Sequence, residues 1–137
     1  MATVELTEEN FAATITDNET VLVDFWASWC GPCLRFGPVY EKVSEAHPDV
    51  VFGKIDTEAQ QELAAAFDIR SIPTLMAFRE QVLVFAQPGA LNAPQLEQVI
   101  EAVRGLDMAE VHAAVAAEAQ AHEQAQQPAP EAAGGDS

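Results

Sequence analysis

The sequence predicts an α/β domain with a mixed β-sheet and helices on both faces of that sheet. In the first half of the chain, apolar runs of strand length alternate with helical patterns, which is typical of parallel strands joined by helices. In the second half, two strand-like runs lie close enough together to pair as an antiparallel hairpin, and an amphipathic helix follows them.

A short strand and a helix begin the chain. We expect the strand at residues 3–6, and Thr7 has the residue type and position of a helix N-cap. Leu6 before the cap and Phe11 at the fourth helical position are spaced as a hydrophobic staple. The helix is predicted to end near Thr16.

A strand–helix–strand unit follows. The run at residues 20–27 is rich in Val, Phe and Trp and hardly alternates, which is typical of a strand covered on both faces. A helical pattern begins at the two cysteines, and a second apolar strand is predicted at 50–56. This spacing predicts two parallel strands joined by a right-handed crossover.

The remaining elements of the domain are a helix, two paired strands and a final helix, predicted at 57–67, 74–78, 82–85 and 92–105. The final helix has the clearest signal. Asn92 and Gln95 are spaced as a capping box, and apolar residues recur every three or four positions. Gly105 is placed as a C′ glycine, which would end the helix in a left-handed conformation.

Three regions are expected along the chain. Residues 1–105 form the domain, and residues 106–123 form an appended helix that begins at Asp107 as its N-cap. Residues 124–137 are expected to be a disordered acidic tail, because Gln, Pro, Ala, Glu, Gly and Ser bury too little apolar surface to become ordered.

Composition restricts the class of partner. Of the 137 residues, 49% are hydrophobic, which suffices for one domain with its own core. Six basic and 22 acidic residues give a formal net charge of −16, which argues against nucleic acid and anionic membranes as partners. The first residues lack the basic and apolar regions of a signal peptide, and no apolar run is long enough to span a membrane, so we expect a cytoplasmic protein.

The only two cysteines, Cys30 and Cys33, stand three residues apart at the predicted start of a helix. Residues at i and i+3 lie on one face of a helix. Their Cα atoms are then about 5 to 6 Å apart, inside the ~4.4 to 6.8 Å range that a disulfide tolerates. The spacing therefore predicts a short disulfide that closes and opens, which is a redox device.

The two thiols are predicted to have different roles. Free backbone N–H groups and the positive end of the helix dipole lower the pKa of a cysteine at a helix N-terminus. Cys30 is therefore expected to be the exposed nucleophile, and Cys33, one turn later, the buried resolving thiol. Cys30 would attack a substrate disulfide, and Cys33 would then attack Cys30 and release the reduced substrate.

A structural disulfide and a metal site are the alternatives for the cysteine pair. A metal site would need two further soft or imidazole ligands at suitable spacing. The three histidines, His47, His112 and His122, stand singly in a loop and in the appended helix, so we expect no metal.

Asp24 is a carboxylate inside an otherwise apolar strand. Burial of a carboxylate is unfavourable unless it is neutral or partnered, so the pKa of Asp24 should be raised. Such a group could take the proton from Cys33, through a water, when that thiol attacks. The alternative is an aspartate that reaches solvent at the strand edge.

These features together resemble the thioredoxin family. The resemblance covers residues 4–105 and rests on Pro38 and on the segments Val23–Ala27, Trp29–Cys33, Lys54–Asp56, Ile72–Thr74 and Gly89–Ala90. It implies the thioredoxin fold and protein-disulfide reductase activity. It also implies that the redox-active disulfide Cys30–Cys33 carries out the reaction, with no bound cofactor.

The resemblance also implies roles for single residues. Asp24 matches the buried proton acceptor of the family, and Lys54 matches the lysine that tunes it. Pro73 matches a cis-proline, which would turn the backbone of Ile72 towards an extended substrate segment. A flat apolar substrate-binding rim is implied around the cysteines, formed by Trp29, Gly31, Pro32, Ile72, Pro73, Gly89 and Ala90.

Three departures from the family pattern stand out. Glu80-Gln81 occupies a hairpin position that usually contains glycine, so the turn is expected to be longer or differently shaped. Asp68 replaces a frequent glycine. Arg35 replaces a common lysine after the second cysteine and keeps its positive charge.

The implied partners are disulfide-containing proteins and an NADPH-dependent thioredoxin reductase, and we expect a monomer. A disulfide isomerase or oxidase would use the same chemistry, but Gly31-Pro32 between the cysteines favours a reductase. A further alternative is a binding or chaperone-like module whose C-terminal helix docks a partner. The intact cysteine pair and Asp24 argue against that as the sole role.

Overall fold

The computed structural model describes residues 2–126. Within this range the strands are β1 (Thr3–Glu5), β2 (Thr20–Trp26), β3 (Val51–Asp56), β4 (Thr74–Arg79) and β5 (Val82–Pro88). The helices are α1 (Phe11–Asp17), α2 (Gly31–Glu45), α3 (Gln61–Ala66), α4 (Ala93–Arg104) and α5 (Met108–Gln126).

The strands form one mixed sheet in the order β1-β3-β2-β4-β5. β3 is parallel to both of its neighbours, β1 and β2. β4 is antiparallel to β2 on one side and to β5 on the other. The predicted α/β class and mixed sheet are therefore confirmed.

Each face of the sheet has its own apolar core, because successive side chains of a strand point to opposite faces. Leu22 packs with residues of α2 and α4, including Phe36 and Ile100. Its neighbours Val21 and Val23 pack on the other face, with Leu6 and residues of α1 and α3. β2 thus lies between two cores, as its mostly apolar and hardly alternating sequence predicts.

Gly53 in β3 is required by close packing. A Cβ atom at this position would overlap the side chain of Leu6, which is buried on that face of the sheet. The missing side chain lets Leu6 fill the space over β3.

The predictions for the first and third helices placed their starts too early. α1 begins at Phe11 with Asn10 as its N-cap residue, because the Thr7 hydroxyl accepts from the amides of Glu9 and Asn10 and holds a separate turn. α3 spans only Gln61–Ala66, following a turn in which the Asp56 carboxylate accepts from backbone amides.

The capping box of α4 is confirmed, since Asn92 and Gln95 exchange side chain–backbone hydrogen bonds. The left-handed conformation expected for Gly105 is wrong, because its φ is −84°. The Arg79 guanidinium provides another partner for the helix end. Its Nη1 donates to the carbonyl oxygens of Val103 and Arg104 at 2.8 and 3.1 Å.

The turn between β4 and β5 has two residues, so the longer turn considered from the sequence is wrong. Arg79 and Val82 are register partners on either side of it. Glu80 and Gln81 have positive φ values of 50° and 70°, and Asp68 has a φ of 54°. Asp68, Glu80 and Gln81 thus adopt the left-handed backbone region that favours glycine.

The chain divides into two compact units, Met1–Gly105 and Leu106–Ser137. In the second unit, Asp107 caps α5 by accepting from the amides of Ala109 and Glu110. α5 extends to Gln126, three residues beyond the predicted boundary. The rest of the predicted tail lies outside the described residues. No helix within 2–126 combines the length and apolar character that a membrane span requires.

Candidate functional site

Cys30 and Cys33 form a disulfide at the N-terminus of α2, with their Cα atoms 5.2 Å apart. Cys30 is the N-cap residue, and Pro32 occupies the first turn, where its lack of an N–H group leaves no hydrogen bond unmade. The backbone N–H of Cys33 donates to Cys30 Sγ at 3.1 Å. The helix start therefore directs a backbone hydrogen-bond donor at Cys30 Sγ.

In this disulfide form both cysteines are buried, with exposures of 4% for Cys30 and 2% for Cys33. The expectation of an exposed Cys30 is wrong for this form, because the pair packs with Ala27, Trp26 and Ile72. Trp29 is 68% exposed, although it directly precedes Cys30 in the chain.

The Ile72–Pro73 peptide bond is cis, as the resemblance implies. The carbonyl oxygen of Ile72 lies 3.8 Å from Cys30 Sγ, a packing contact in which the oxidised sulfur has no proton to donate. The amide of Gly89 donates to the carbonyl oxygen of Pro73 at 2.8 Å. Ile72 therefore contacts the disulfide directly, and Gly89 is joined to the same segment through Pro73.

A small pocket of about 180 Å³ has Trp29, Ser71 and Ile72 in its lining. The indole Nε1 of Trp29 donates to Glu58 Oε2 at 3.2 Å. Glu58 is a contact that the sequence did not reveal, because one glutamate in a polar loop has no distinguishing pattern. A larger apolar groove of about 440 Å³ lies elsewhere, along α2 and α4, with Val39 and Ala93 in its lining.

Asp24 is fully buried in β2, and neither of its carboxylate oxygens has a hydrogen-bond partner within the described part of the chain. The alternative of a solvent-exposed aspartate is therefore wrong. Burial raises the pKa of Asp24 from 3.8 to about 7, while the positive charge of Lys54 opposes that rise. Lys54 is the register partner of Asp24 in β3, and its Nζ lies 4.7 Å from the Trp26 ring centroid.

Tyr40 of α2 is a second buried ionisable group. Its hydroxyl donates to the carbonyl oxygen of Gly53 at 2.8 Å. Burial, and to a lesser extent the charge of Asp24, raises the pKa of Tyr40 well above its usual value. Tyr40 is therefore a neutral hydrogen-bond donor.

The histidines are not gathered with other ligands. Across residues 2–126, no cluster of three or more His, Cys, Asp or Glu side chains has the arrangement of a metal site. His47 instead lies between two charged residues, with Nε2 2.8 Å from Glu97 Oε1 and Nδ1 3.0 Å from Arg104 Nη2.

Comparison with known proteins identifies the family. The family model described as Thioredoxin matches residues 2–102. A protein of Streptomyces coelicolor described as "Putative thioredoxin 2" is 70% identical over 115 residues, which cover 84% of this chain and 86% of the relative. This chain belongs to the thioredoxin family. A thioredoxin of Alicyclobacillus acidocaldarius is 41% identical to it, over 73% of this chain and 100% of the relative.

Solved thioredoxin structures share the fold. Thioredoxin F from spinach chloroplast superposes with a TM-score of 0.71 at 31% identity, covering 76% of this chain and 95% of that one. A mutant thioredoxin from Halobacterium salinarum gives 0.68 at 34% identity, covering 75% and 91%. The predicted thioredoxin fold is confirmed. With the Cys30–Cys33 pair in place, this thioredoxin is a thiol-disulfide oxidoreductase of the protein-disulfide reductase type.

Proposed function

We propose that this thioredoxin reduces protein disulfides with Cys30 as nucleophile, Cys33 as resolving thiol and Asp24 as proton acceptor. The observation that carries the proposal is the hydrogen bond from the Cys33 amide to Cys30 Sγ, at the N-terminus of a helix of 15 residues. After reduction, the same amide and the helix dipole favour the thiolate of Cys30 over its thiol.

The reaction has two exchange steps. The Cys30 thiolate attacks one sulfur of a substrate disulfide, so that a mixed disulfide forms and the other substrate sulfur leaves as a thiolate. Cys33 then gives up its proton, attacks Cys30 Sγ and releases the second substrate sulfur. Two electrons pass from the dithiol to the substrate, and the Cys30–Cys33 disulfide is the oxidised product.

Asp24 acts in the second step. With a pKa of about 7, its carboxylate is present in substantial amount at neutral pH and binds a proton far more readily than an ordinary aspartate. Asp24 lies on β2, on the sheet face that α2 covers, and accepts the Cys33 proton through a water. Lys54 prevents the pKa of Asp24 from rising further, because its charge stabilises the ionised form.

The substrate binds as an extended segment along the rim of the disulfide. The cis bond at Pro73 presents the backbone of Ile72 for pairing with such a segment. Trp29 and the exposed residues Gly31, Pro32, Gly89 and Ala90 complete the surface. Backbone pairing and apolar contact suit many disulfide-containing proteins rather than one small molecule.

An NADPH-dependent thioredoxin reductase returns the electrons, and the protein works as a monomer in the cytoplasm. The oxidised pair requires an external reductant, because each exchange consumes the dithiol. The net charge of −16 supports protein partners over nucleic acid or anionic membranes.

Insulin-disulfide reduction tests the assignment of the two cysteines. The unaltered protein should reduce insulin, and Cys30→Ser should show no turnover because the nucleophile is gone. Cys33→Ser should accumulate a mixed disulfide through Cys30, detectable by mass spectrometry. Equal activity in all three proteins would contradict the proposal.

A further inference from the structure

Three ionisable side chains form a row across three strands of the sheet. In the register of the parallel pairs, Lys54 of β3 lies opposite Glu5 of β1 on one side and Asp24 of β2 on the other. Register partners point to the same face of a sheet, so all three side chains lie on the face that α2 covers. Lys54 therefore stands between a buried carboxyl group and an exposed one.

A third carboxylate reaches this row from α2. Lys54 Nζ lies 3.8 Å from the position that a Cβ atom on Gly37 would occupy. Glu41 follows Gly37 by four residues, and such residues are neighbours on one helix face, with Cβ atoms about 5 to 6 Å apart. Glu41 thus extends over the same surface as the Lys54 ammonium.

Glu41 is held in place by the first strand. Its Oε1 accepts from the Thr3 hydroxyl at 2.6 Å, and its Oε2 accepts from the Ala2 amide at 3.0 Å. The Thr3 hydrogen bond is the main reason that the pKa of Glu41 lies below its usual value, and Lys54 adds to the effect. Glu41 is therefore a fixed negative charge at neutral pH.

Within residues 2–126, the charge that lowers the pKa of Asp24 is that of Lys54. α2 contributes the Tyr40 hydroxyl, which is bound to a backbone carbonyl and whose pKa the charge of Asp24 helps to raise. β4 contributes the apolar Leu75 as the register partner of Asp24. Electrostatic stabilisation of the Asp24 carboxylate thus depends on how much of the Lys54 charge is available to it.

We propose that Glu41 is a positioning residue for disulfide exchange, which with Glu5 shares the Lys54 ammonium and so preserves the ability of Asp24 to take a proton. At Asp24 the negative charges of Glu41 and Glu5 oppose the field of the Lys54 ammonium, so Lys54 stabilises the Asp24 carboxylate less than it would alone. The inference rests on the proposed role of Asp24. Through Lys54, α2 and β1 would regulate that role.

The direct test is to titrate Asp24 by carboxyl-carbon NMR in the full-length oxidised protein. Glu41→Gln keeps the shape of the side chain but removes its charge, so Lys54 acts more strongly on Asp24. We expect the pKa of Asp24 to fall by roughly 0.3 to 1 unit. Glu41→Asp, which keeps the charge, should restore most of the original value.

Glu45→Gln is the matched control, because Glu45 is an exposed carboxylate one turn further along α2. It should leave the pKa of Asp24 unchanged. Glu5→Gln should lower it in the same direction as Glu41→Gln, and this variant leaves the anchor between α2 and β1 intact. Equal shifts in Glu41→Gln and Glu45→Gln, or no shift in both Glu41→Gln and Glu5→Gln, would overturn the inference.

A kinetic readout separates this inference from the proposed function. The pH profile for release of substrate from the Cys30 mixed disulfide should move to lower pH in Glu41→Gln by the same amount as the pKa of Asp24. If the pKa moves and the profile does not, Asp24 is not the proton acceptor, although the coupling among Glu41, Lys54 and Asp24 stands. If the pKa does not move, the coupling is wrong.

Discussion

At the scale of single residues, the protonation of Asp24 affects both the stability of the fold and the proposed disulfide exchange. Its pKa is 3.8 in an unfolded chain and about 7 in the folded protein, because burial disfavours the charged form. Between these values the folded protein binds the proton more tightly than the unfolded chain does. Stability therefore decreases as the pH rises through this interval and then levels off above it. With about 1.4 kcal/mol for each pKa unit, the whole decrease is about 4 kcal/mol at most.

Asp24→Asn should remove this pH dependence while keeping the size of the side chain. At each pH, the free energy of unfolding of the unaltered protein is subtracted from that of the variant. This difference should be up to about 4 kcal/mol larger at pH 8 than at pH 4. Urea unfolding at the two pH values measures the difference. Reduction of insulin should become slower, because Cys33 loses its proton acceptor. A stability difference that is the same at both pH values would contradict the buried, protonatable Asp24.

At the scale of elements, the turn between β4 and β5 holds left-handed backbone conformations that lower the stability of the fold, and glycine would relieve this strain. A two-residue turn with positive φ at both positions matches the twist of antiparallel strands, and glycine is favoured there. Gln81, with a φ of 70°, adopts this conformation with a full side chain. For a residue with a Cβ atom, the left-handed conformation costs roughly 1–2 kcal/mol.

Gln81→Gly should therefore raise the free energy of unfolding by about 0.5–1 kcal/mol, after allowing for the greater freedom of glycine in the unfolded chain. Gln87→Gly is the matched control, because Gln87 is exposed and lies within β5. That variant should lose about 0.5–1 kcal/mol. If both variants change stability in the same direction, the argument from the turn is wrong.

The elements also show what local sequence determines. Asn92 and Gln95 define the start of α4 because both partners of the capping box lie within four residues of one another. Thr7 was a misleading cap, since the hydrogen bonds of its hydroxyl stabilise a separate turn before α1. Reciprocal contacts thus specified the start of α4, whereas a single polar residue gave the correct start at Asp107 and the wrong one at Thr7.

The site shows the same limit. The cysteine pair was predictable because its two members stand three residues apart at one helix start. Asp24 was predictable because it is a charged residue inside an otherwise apolar strand. Glu41 and Glu58 were not, because their contacts with Thr3 and Trp29 join residues 38 and 29 positions apart. Such contacts depend on the strand order and register, which no short segment specifies.

At the scale of the whole molecule, the proposed site residues belong to the unit Met1–Gly105, and the family model matches residues 2–102. We predict that truncation after Gly105 leaves insulin reduction unchanged and lowers the melting temperature little. Calorimetry and the insulin assay on the full and truncated chains measure both quantities. A large fall in the melting temperature would show that residues 106–137 contribute to the stability of the domain.

Alkylation of the reduced protein shows whether one sulfur of the pair ionises easily while its neighbour keeps its proton. The rate of iodoacetamide labelling at each cysteine should be measured by mass spectrometry between pH 5 and 10, with Cys33→Ser used to isolate Cys30. We predict that Cys30 titrates well below the free-thiol pKa of about 8.5 and that Cys33 stays unreactive at neutral pH. Two thiols that both titrate like free cysteine would contradict the account.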